Sequence, residues 1–209
     1  YRRSLDIEDA IATVQFRYNN TDYTREFFAD YPDNIIAVKL SASDSSKLNL
    51  AIRLEEAHQK NLSINSTDSL ITMRGKADKG QMEYETQVKV DAKNGTQRSG
   101  GARIYIENAD EVVIYLKTGT DYDMNNIPEF KRDMSVVHKE ITDGINAAIE
   151  KGYNALKENH LADYRPIFNR TSLSLGDNIT NDIPTDELRA TYKNTNNKML
   201  EELFFQYGR

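Results

Sequence analysis

The sequence predicts a mostly β protein with a C-terminal helical segment, an antiparallel β-sandwich followed by a helical linker. Up to about residue 128, apolar residues recur with period two between short turns of Asn, Asp, Gly and Ser, the pattern of strands with one face buried. Beyond that point they recur every three or four residues, the spacing of a helix that hides one stripe. Strands at the observed spacing imply two antiparallel sheets packed face to face.

The strand series begins at Ala12, Val14, Phe16 and Tyr18, alternating with Thr13, Gln15 and Arg17. Asn19-Asn20 supplies a polar turn, and residues 23–29 return as the second arm of a hairpin. Ile36, Val38 and Leu40 follow the punctuation Tyr31-Pro32-Asp33, and Leu48, Leu50, Ile52 and Leu54 alternate with Asn49, Ala51 and Arg53. Short candidates lie at 62–64 and 70–74. Tyr84, Thr86, Val88 and Val90 are expected inside, with Glu85, Gln87 and Lys89 outside. Ala102, Ile104 and Ile106, then Val112, Ile114 and Leu116, close the series, which leaves Tyr105 and Tyr115 pointing off the inner face.

The period then switches. Phe130, Met134, Val137, Ile141, Ile145 and Ile149 make one amphipathic helix, with Gly152 placed to cap or bend it. Tyr153, Leu156, His160, Tyr164 and Phe168 stripe a second helix, in which Pro166 is expected to kink the chain or start a new turn. Residues 172–175 read as a brief extended piece. Thr185 is placed to cap a third helix, with Asp186 and Glu187 suited to its positive end. A fourth helix starts at Asn196 or Asn197 and carries Met199, Leu200, Leu203, Phe204 and Tyr207 at helical spacing. Such a stripe needs a covering partner, and Tyr1-Arg2-Arg3 has neither an initiator Met nor a signal segment. The expectation is a piece of a larger protein, to be read as 1–128 sandwich, 129–171 helical linker and 172–209 the start of a further domain.

Composition narrows the function classes. A net charge of −6, with no basic stripe, repels phosphate backbones and argues against nucleic acid. No apolar run is long enough to span a membrane as a helix. The absence of cysteine removes disulfides, thiolate metal sites and cysteine nucleophiles. Asn-X-Ser/Thr triplets such as Asn65-Ser66-Thr67 are read as chance in so Asn-rich a chain.

Several ordered motifs say more than the periodicity. Tyr1-Arg2-Arg3-Ser4-Leu5-Asp6, Ala10-Ile11-Ala12-Thr13-Val14, Tyr23-Thr24-Arg25-Glu26 and Phe28-Ala29-Asp30-Tyr31-Pro32-Asp33 run in sequence. They are followed by Gly152-Tyr153-Asn154-Ala155-Leu156, His160-Leu161-Ala162-Asp163-Tyr164, Leu173-Ser174-Leu175-Gly176, Pro184-Thr185-Asp186-Glu187 and Phe205-Gln206-Tyr207-Gly208-Arg209. Together the chain resembles glycoside hydrolase family 95. The resemblance implies an N-terminal β-sandwich, a helical linker and an (α/α)6 barrel, of which this chain holds the first two and the barrel's first helix. It further implies inverting hydrolysis of α-1,2-linked L-fucose, with α-L-galactosides as an alternative substrate, fucosylated glycans as the parent's ligands, and a periplasmic or extracellular location. An inverting glycosidase needs an acid and a base about 6.5–9.5 Å apart. The family's acid Glu and water-positioning Asn residues belong to the barrel, no position here matches them, and no catalytic residue is assigned. The resemblance also implies that the sandwich's opening strands lie before Tyr1, leaving an open sheet edge.

Candidate site residues are therefore few. His160 and Asp163 stand i and i+3 on one helical face, within hydrogen-bonding reach; a polar pair between linker and sandwich is preferred over a catalytic one. Thr120, Asp121 and Tyr122, in the loop leaving the last strand, sit at the domain junction, where sites concentrate. Asp6, Glu8 and Asp9 lack the ordered spacing of a calcium loop and are read as a solvated turn. His58 and His138 lack metal-ligand spacing, and no cofactor or metal is expected. Ser99-Gly100-Gly101 is a glycine turn without the Lys of a phosphate loop. The expected role is to pack against and brace the rest of its own polypeptide, the barrel. The alternative is a stand-alone carbohydrate-binding or scaffold sandwich, with Tyr105 and Tyr115 as sugar platforms, although stabilising cross-strand pairs is the preferred reading of both tyrosines. An adhesin-like β protein fits poorly because the helical half is long.

Overall fold

The computed structural model describes residues 1–56, 62–77, 81–176, 183–195 and 197–208. Eleven strands precede four helices among them: β1 (Arg2–Asp6), β2 (Ile11–Tyr18), β3 (Thr21–Asp30), β4 (Ile35–Ala42), β5 (Leu48–Arg53), β6 (Ser63–Thr67), β7 (Leu70–Lys76), β8 (Glu83–Lys93), β9 (Thr96–Gly100), β10 (Arg103–Ala109), β11 (Glu111–Thr120), then α1 (Met134–Lys151), α2 (Tyr153–Phe168), α3 (Thr185–Thr195) and α4 (Lys198–Gly208). An antiparallel sheet of order β1-β2-β3-β4-β11-β8-β7-β6 stacks on a small sheet of order β5-β10-β9. The two-sheet sandwich followed by helices is thus present.

Local chemistry sets the hairpins. Tyr18 pairs with Thr21, so the β2–β3 turn has only Asn19 and Asn20, both at positive φ (47° and 63°), the type I′ geometry that matches strand twist. Gly101 and Ala102, at φ 59° and 60°, do the same between β9 and β10. β1 and β9 are strands that the hydrophobic pattern misses, because both are short and polar and lie at sheet edges.

The large sheet has two covered faces, which the alternation had read as one. Leu40, Val88, Val90 and Val112 meet Leu48, Ile104 and Ile106 of the small sheet in one core. On the opposite face, Phe28, Ile35, Ala37, Val113 and Tyr115 meet Val137, Ile141, Ile145 and Ala148 of α1 and Tyr153 and Leu156 of α2 in a second. Each fully buried aliphatic side chain contributes roughly 1.5–3 kcal/mol, so the helices add a core of comparable weight to the sandwich's own. Three expectations change. Tyr115 is not an outer-face platform: it is 3% exposed beneath the helices. Glu85 and Gln87 are buried rather than outside, because α1 lies across β8 and β11. Tyr18 is 64% exposed: it shares the sandwich-side face with Phe16 and Tyr23 at the β2–β3 turn, where the small sheet does not cover it. Ile36 faces the sandwich side as read, yet the small sheet, with β5 over β4 and β9 over β6, stops short of it and leaves it exposed.

The helices also shift at their ends. α1 begins at Met134, not Phe130, with Asp133 accepting from the Ser135 N–H as its N-cap; Phe130 stays outside at φ 53°. Gly152, at φ 81°, closes α1 and opens α2, a conformation a side chain rarely takes. Pro166 neither breaks nor restarts α2: it lies two residues before the final Phe168, so its missing N–H costs one bond, to the Ala162 carbonyl, in the last turn. Residues 171–175 have no regular structure, and α3 starts at Thr185 itself. Asn197 caps α4 through the Met199 N–H at 2.9 Å. On α4, Met199 and Glu202 are buried while Phe204 and Tyr207 stay exposed, so only part of the predicted stripe is covered. Asn196, His58 and Asn61 lie outside the described residues.

Candidate functional site

The chemistry of this chain is concentrated where α1 and α2 cross the large sheet. A one-residue hinge at Gly152 turns the chain so that both helices lie on the same face, and polar groups at the rim of the buried stripe are then held close to strand residues.

Asp30, at the end of β3, is 1% exposed. Its Oδ2 accepts the Asp33 N–H at 3.2 Å, while Oδ1 has no hydrogen-bond partner among the described residues. Burial, reinforced by the neighbouring Asp33 carboxylate, raises its pKa to about 6. Asp33 moves the opposite way: Lys151 donates to both its oxygens at 2.5 and 2.6 Å, and the Asn159 amide adds a bond at 3.1 Å. Lys117 of β11, its pKa lowered by burial, donates to the carbonyls of Asp33 and Asn34 at 3.1 and 3.2 Å. The β3–β4 turn is therefore clamped to the C-terminal end of α1.

A second polar group lies under the N-terminal half of α1. Glu85, with no exposed surface, receives the Arg74 Nε–H at 2.6 Å, the Gln87 amide at 2.7 Å and His138 Nδ1 at 2.7 Å. Gln87 also exchanges bonds with the Thr142 hydroxyl. The Nδ1–H tautomer of His138 suits the carboxylate. Burial pushes Glu85 up, but the bonds from Gln87, His138 and Arg74 outweigh it and hold its pKa below the usual value. Sequence reasoning missed this cluster, because Glu85 and Gln87 share their strand with Glu83, Lys89, Asp91 and Lys93 and carry no local mark of burial.

The predicted site residues fall elsewhere and do not converge. His160 is 4% exposed, and its Nε2 reaches the carbonyl of Asp9 at 2.7 Å, between the rings of Phe28 and Tyr164. Its partner is thus that carbonyl and not Asp163, which is half-buried farther along α2. Asp9 also takes a two-pronged bond from Arg165 at 2.6 and 2.9 Å, while Asp6 Oδ1 accepts the N–H groups of Glu8 and Asp9. The Asp6–Asp9 turn is thereby a latch for α2. Lys157 pairs with Glu26 at 2.7 Å beside it. Thr120 is the last residue of β11, its carbonyl facing Arg132 Nε; Asp121 is buried and paired with Lys131 at 3.1 Å; Tyr122 is 56% exposed. Tyr105 is half-buried under the Arg98 guanidinium at 4.2 Å.

Among the described residues no group of three or more His, Asp or Glu is placed to hold a metal ion. An open depression of about 420 Å³ lies on α2 around Glu158, Leu161 and Arg165, and another of about 450 Å³ lies near Tyr1, Gln15, Phe16 and Tyr23. Neither holds a pair of carboxylates flanking a space for a sugar. What the arrangement does chemically is fasten two helices to a sheet.

Comparison with known proteins gives a consistent picture. Residues 1–125 match the model of the glycosyl hydrolase family 65 N-terminal domain, and residues 152–209 match that of the glycosyl hydrolase family 95 catalytic domain. The whole chain is 29% identical to alpha-L-fucosidase 2 of Arabidopsis thaliana and 31% identical to probable alpha-fucosidase A of Aspergillus niger. It spans 28% of the length of each. Among solved structures, a putative kojibiose phosphorylase from the human microbiome shares the fold with a TM-score of 0.54 at 12% identity, over 78% of this chain and 24% of that one.

Proposed function

The chain belongs to the glycosyl hydrolases as an N-terminal domain of the family 65 type, and from that premise we propose that it is the non-catalytic N-terminal part of an inverting hydrolase resembling α-1,2-L-fucosidases, where it braces the catalytic barrel. One observation carries the reading. The stretch matched by the catalytic-domain model opens at Gly152 and α2, and α2 is itself part of the β-domain's second core, latched by His160, Arg165 and Lys157. Whatever follows α2 is anchored on the sheet through that helix. A domain division at 1–128, 129–171 and 172–209 belongs to the same proposal, with the linker helices as the rigid joint. The stand-alone carbohydrate-binding module loses support because Tyr115 is buried and Tyr105 lies under Arg98.

The test is release of L-fucose from α-1,2-fucosyl oligosaccharides by the purified chain and by the polypeptide encoded when the reading frame continues past Arg209. We expect turnover by the longer polypeptide alone. Mutation-sensitive turnover by the 209-residue chain, or none by the longer one, contradicts the reading.

A further inference from the structure

Between β11 and α1 the chain makes a loop, residues 121–131, in which Asp121, Asp123, Asn126 and Lys131 hold the loop's own shape. Asp121 accepts the Glu83 N–H at 3.0 Å and pairs with Lys131, while its carbonyl takes the Arg132 N–H at 2.8 Å. Tyr122 and Lys131 form a β-bridge. Farther out, the Asp123 N–H donates to the Phe130 carbonyl at 2.9 Å, the Asn125 N–H to the Asp123 carboxylate at 2.9 Å, and the Asn126 side-chain amide to the Lys131 carbonyl. On this closed frame the large apolar side chains point outward: Tyr122 is 56%, Met124 67%, Ile127 72% and Phe130 41% exposed. Met82, next to Glu83, adds to the same neighbourhood at 40%.

Single exposed apolar residues mean little, but four on one short, internally bonded loop make an interaction surface. A frame already fixed loses little freedom on docking, which favours binding. We propose that the 121–131 loop is a preformed apolar plug that seats on the catalytic domain of the same polypeptide. This rests on the reading above and names the contact by which the brace works. Two findings favour that occupant. The relatives are more than three times as long as this chain, and residues 152–209 match the opening of a catalytic domain. That domain is tethered to the plug, so even a modest apolar contact is held at high effective concentration. A sugar is disfavoured, because Asp121, Asp123, Asn126 and Lys131 are engaged within the loop and its base and do not converge on an outside ligand.

Thiol labelling tests the plug. The 209 residues contain no cysteine, so Met124→Cys introduces a single reporter at an exposed position, and Ser45→Cys, in the exposed β4–β5 turn, serves as the control. Each is placed in the chain and in the polypeptide continuing past Arg209, with any cysteine of the continuation first changed to Ala. Circular dichroism of each variant verifies folding. We expect maleimide to label Met124→Cys in the longer polypeptide at least about tenfold more slowly than in the chain, because reagent enters only when the contact opens, with Ser45→Cys unchanged. Equal rates at position 124 in a longer polypeptide that releases fucose overturn the plug and leave the hydrolase reading standing. Slow labelling in a longer polypeptide that releases no fucose supports the plug and removes the fucosidase reading. Labelling of the chain alone that slows with its own concentration makes a second copy the occupant and overturns the proposal, as does a frame that stops at Arg209.

Discussion

Replacing Asp30 with Asn should stabilise this protein at neutral pH and leave its stability in acid unchanged. Asp30 is buried with one oxygen unpartnered and the Asp33 carboxylate beside it, and its pKa is raised from 3.8 to about 6. A group held protonated in the folded state favours folding fully below its unfolded pKa. That contribution is lost as pH rises through the folded value, here between about 4 and 6. Above that window the chain carries an ionised carboxylate it would fold more easily without. A shift of about two units corresponds to roughly 3 kcal/mol as a ceiling. Local relaxation around the buried group reduces this, and about 1–2 kcal/mol is expected. Asn reproduces the shape and donor of the protonated acid. The assay is urea unfolding of both proteins at pH 4, 5, 6, 7 and 8. The two proteins should be nearly equal in stability at pH 4 and separate progressively to pH 7, where Asp30→Asn should be more stable by about 1–2 kcal/mol. A variant destabilised by the same amount at every pH would refute the reasoning, because it would mean the ionised carboxylate is already satisfied in the folded protein.

Two further outcomes follow from the helix–sheet seam. Ile145→Ala, at a site 2% exposed between α1 and the sheet, should cost about 2–4 kcal/mol in denaturant unfolding; a loss under 1 kcal/mol would mean α1 is not part of the cooperative core. His138→Ala removes one donor from the buried Glu85 and should cost about 1–2 kcal/mol at pH 7. Because the folded Glu85 pKa is depressed, its stabilisation is present above about 4.5 and is lost as pH falls further. Glu85→Gln should therefore flatten the acid limb of the stability profile, and an unchanged limb would count against the cluster.

The sandwich was legible because β2, β4, β5, β8 and β11 carry period-two apolar runs, and turns beside them carry Asn19, Asn20, Asn34 and Asn94 at positive φ. What alternation cannot report is which face of a strand a distant helix will cover. Glu85, Gln87 and Tyr115 were assigned to solvent because polar or bulky residues on the minor face of a strand ordinarily lie there. Their burial depends on α1, some fifty residues later in sequence for Glu85. Likewise His160 and Asp163 were paired by helical spacing, whereas His160 finds a backbone carbonyl 151 positions away. The latch and the clamp are tertiary facts with no local signature. The ordered motifs were informative for another reason: Asp30-Tyr31-Pro32-Asp33 and Gly152-Tyr153 are the residues that form the clamp and the hinge.

The bracing role is tested most directly on the catalytic part. Express the longer polypeptide both whole and without residues 1–171, and measure the melting temperature and fucose release of each. If the sheet and its linker helices brace the barrel, the truncated form melts lower and loses most of its turnover, and adding residues 1–171 as a separate chain restores part of both. A truncated form as stable and as active as the whole would contradict the account.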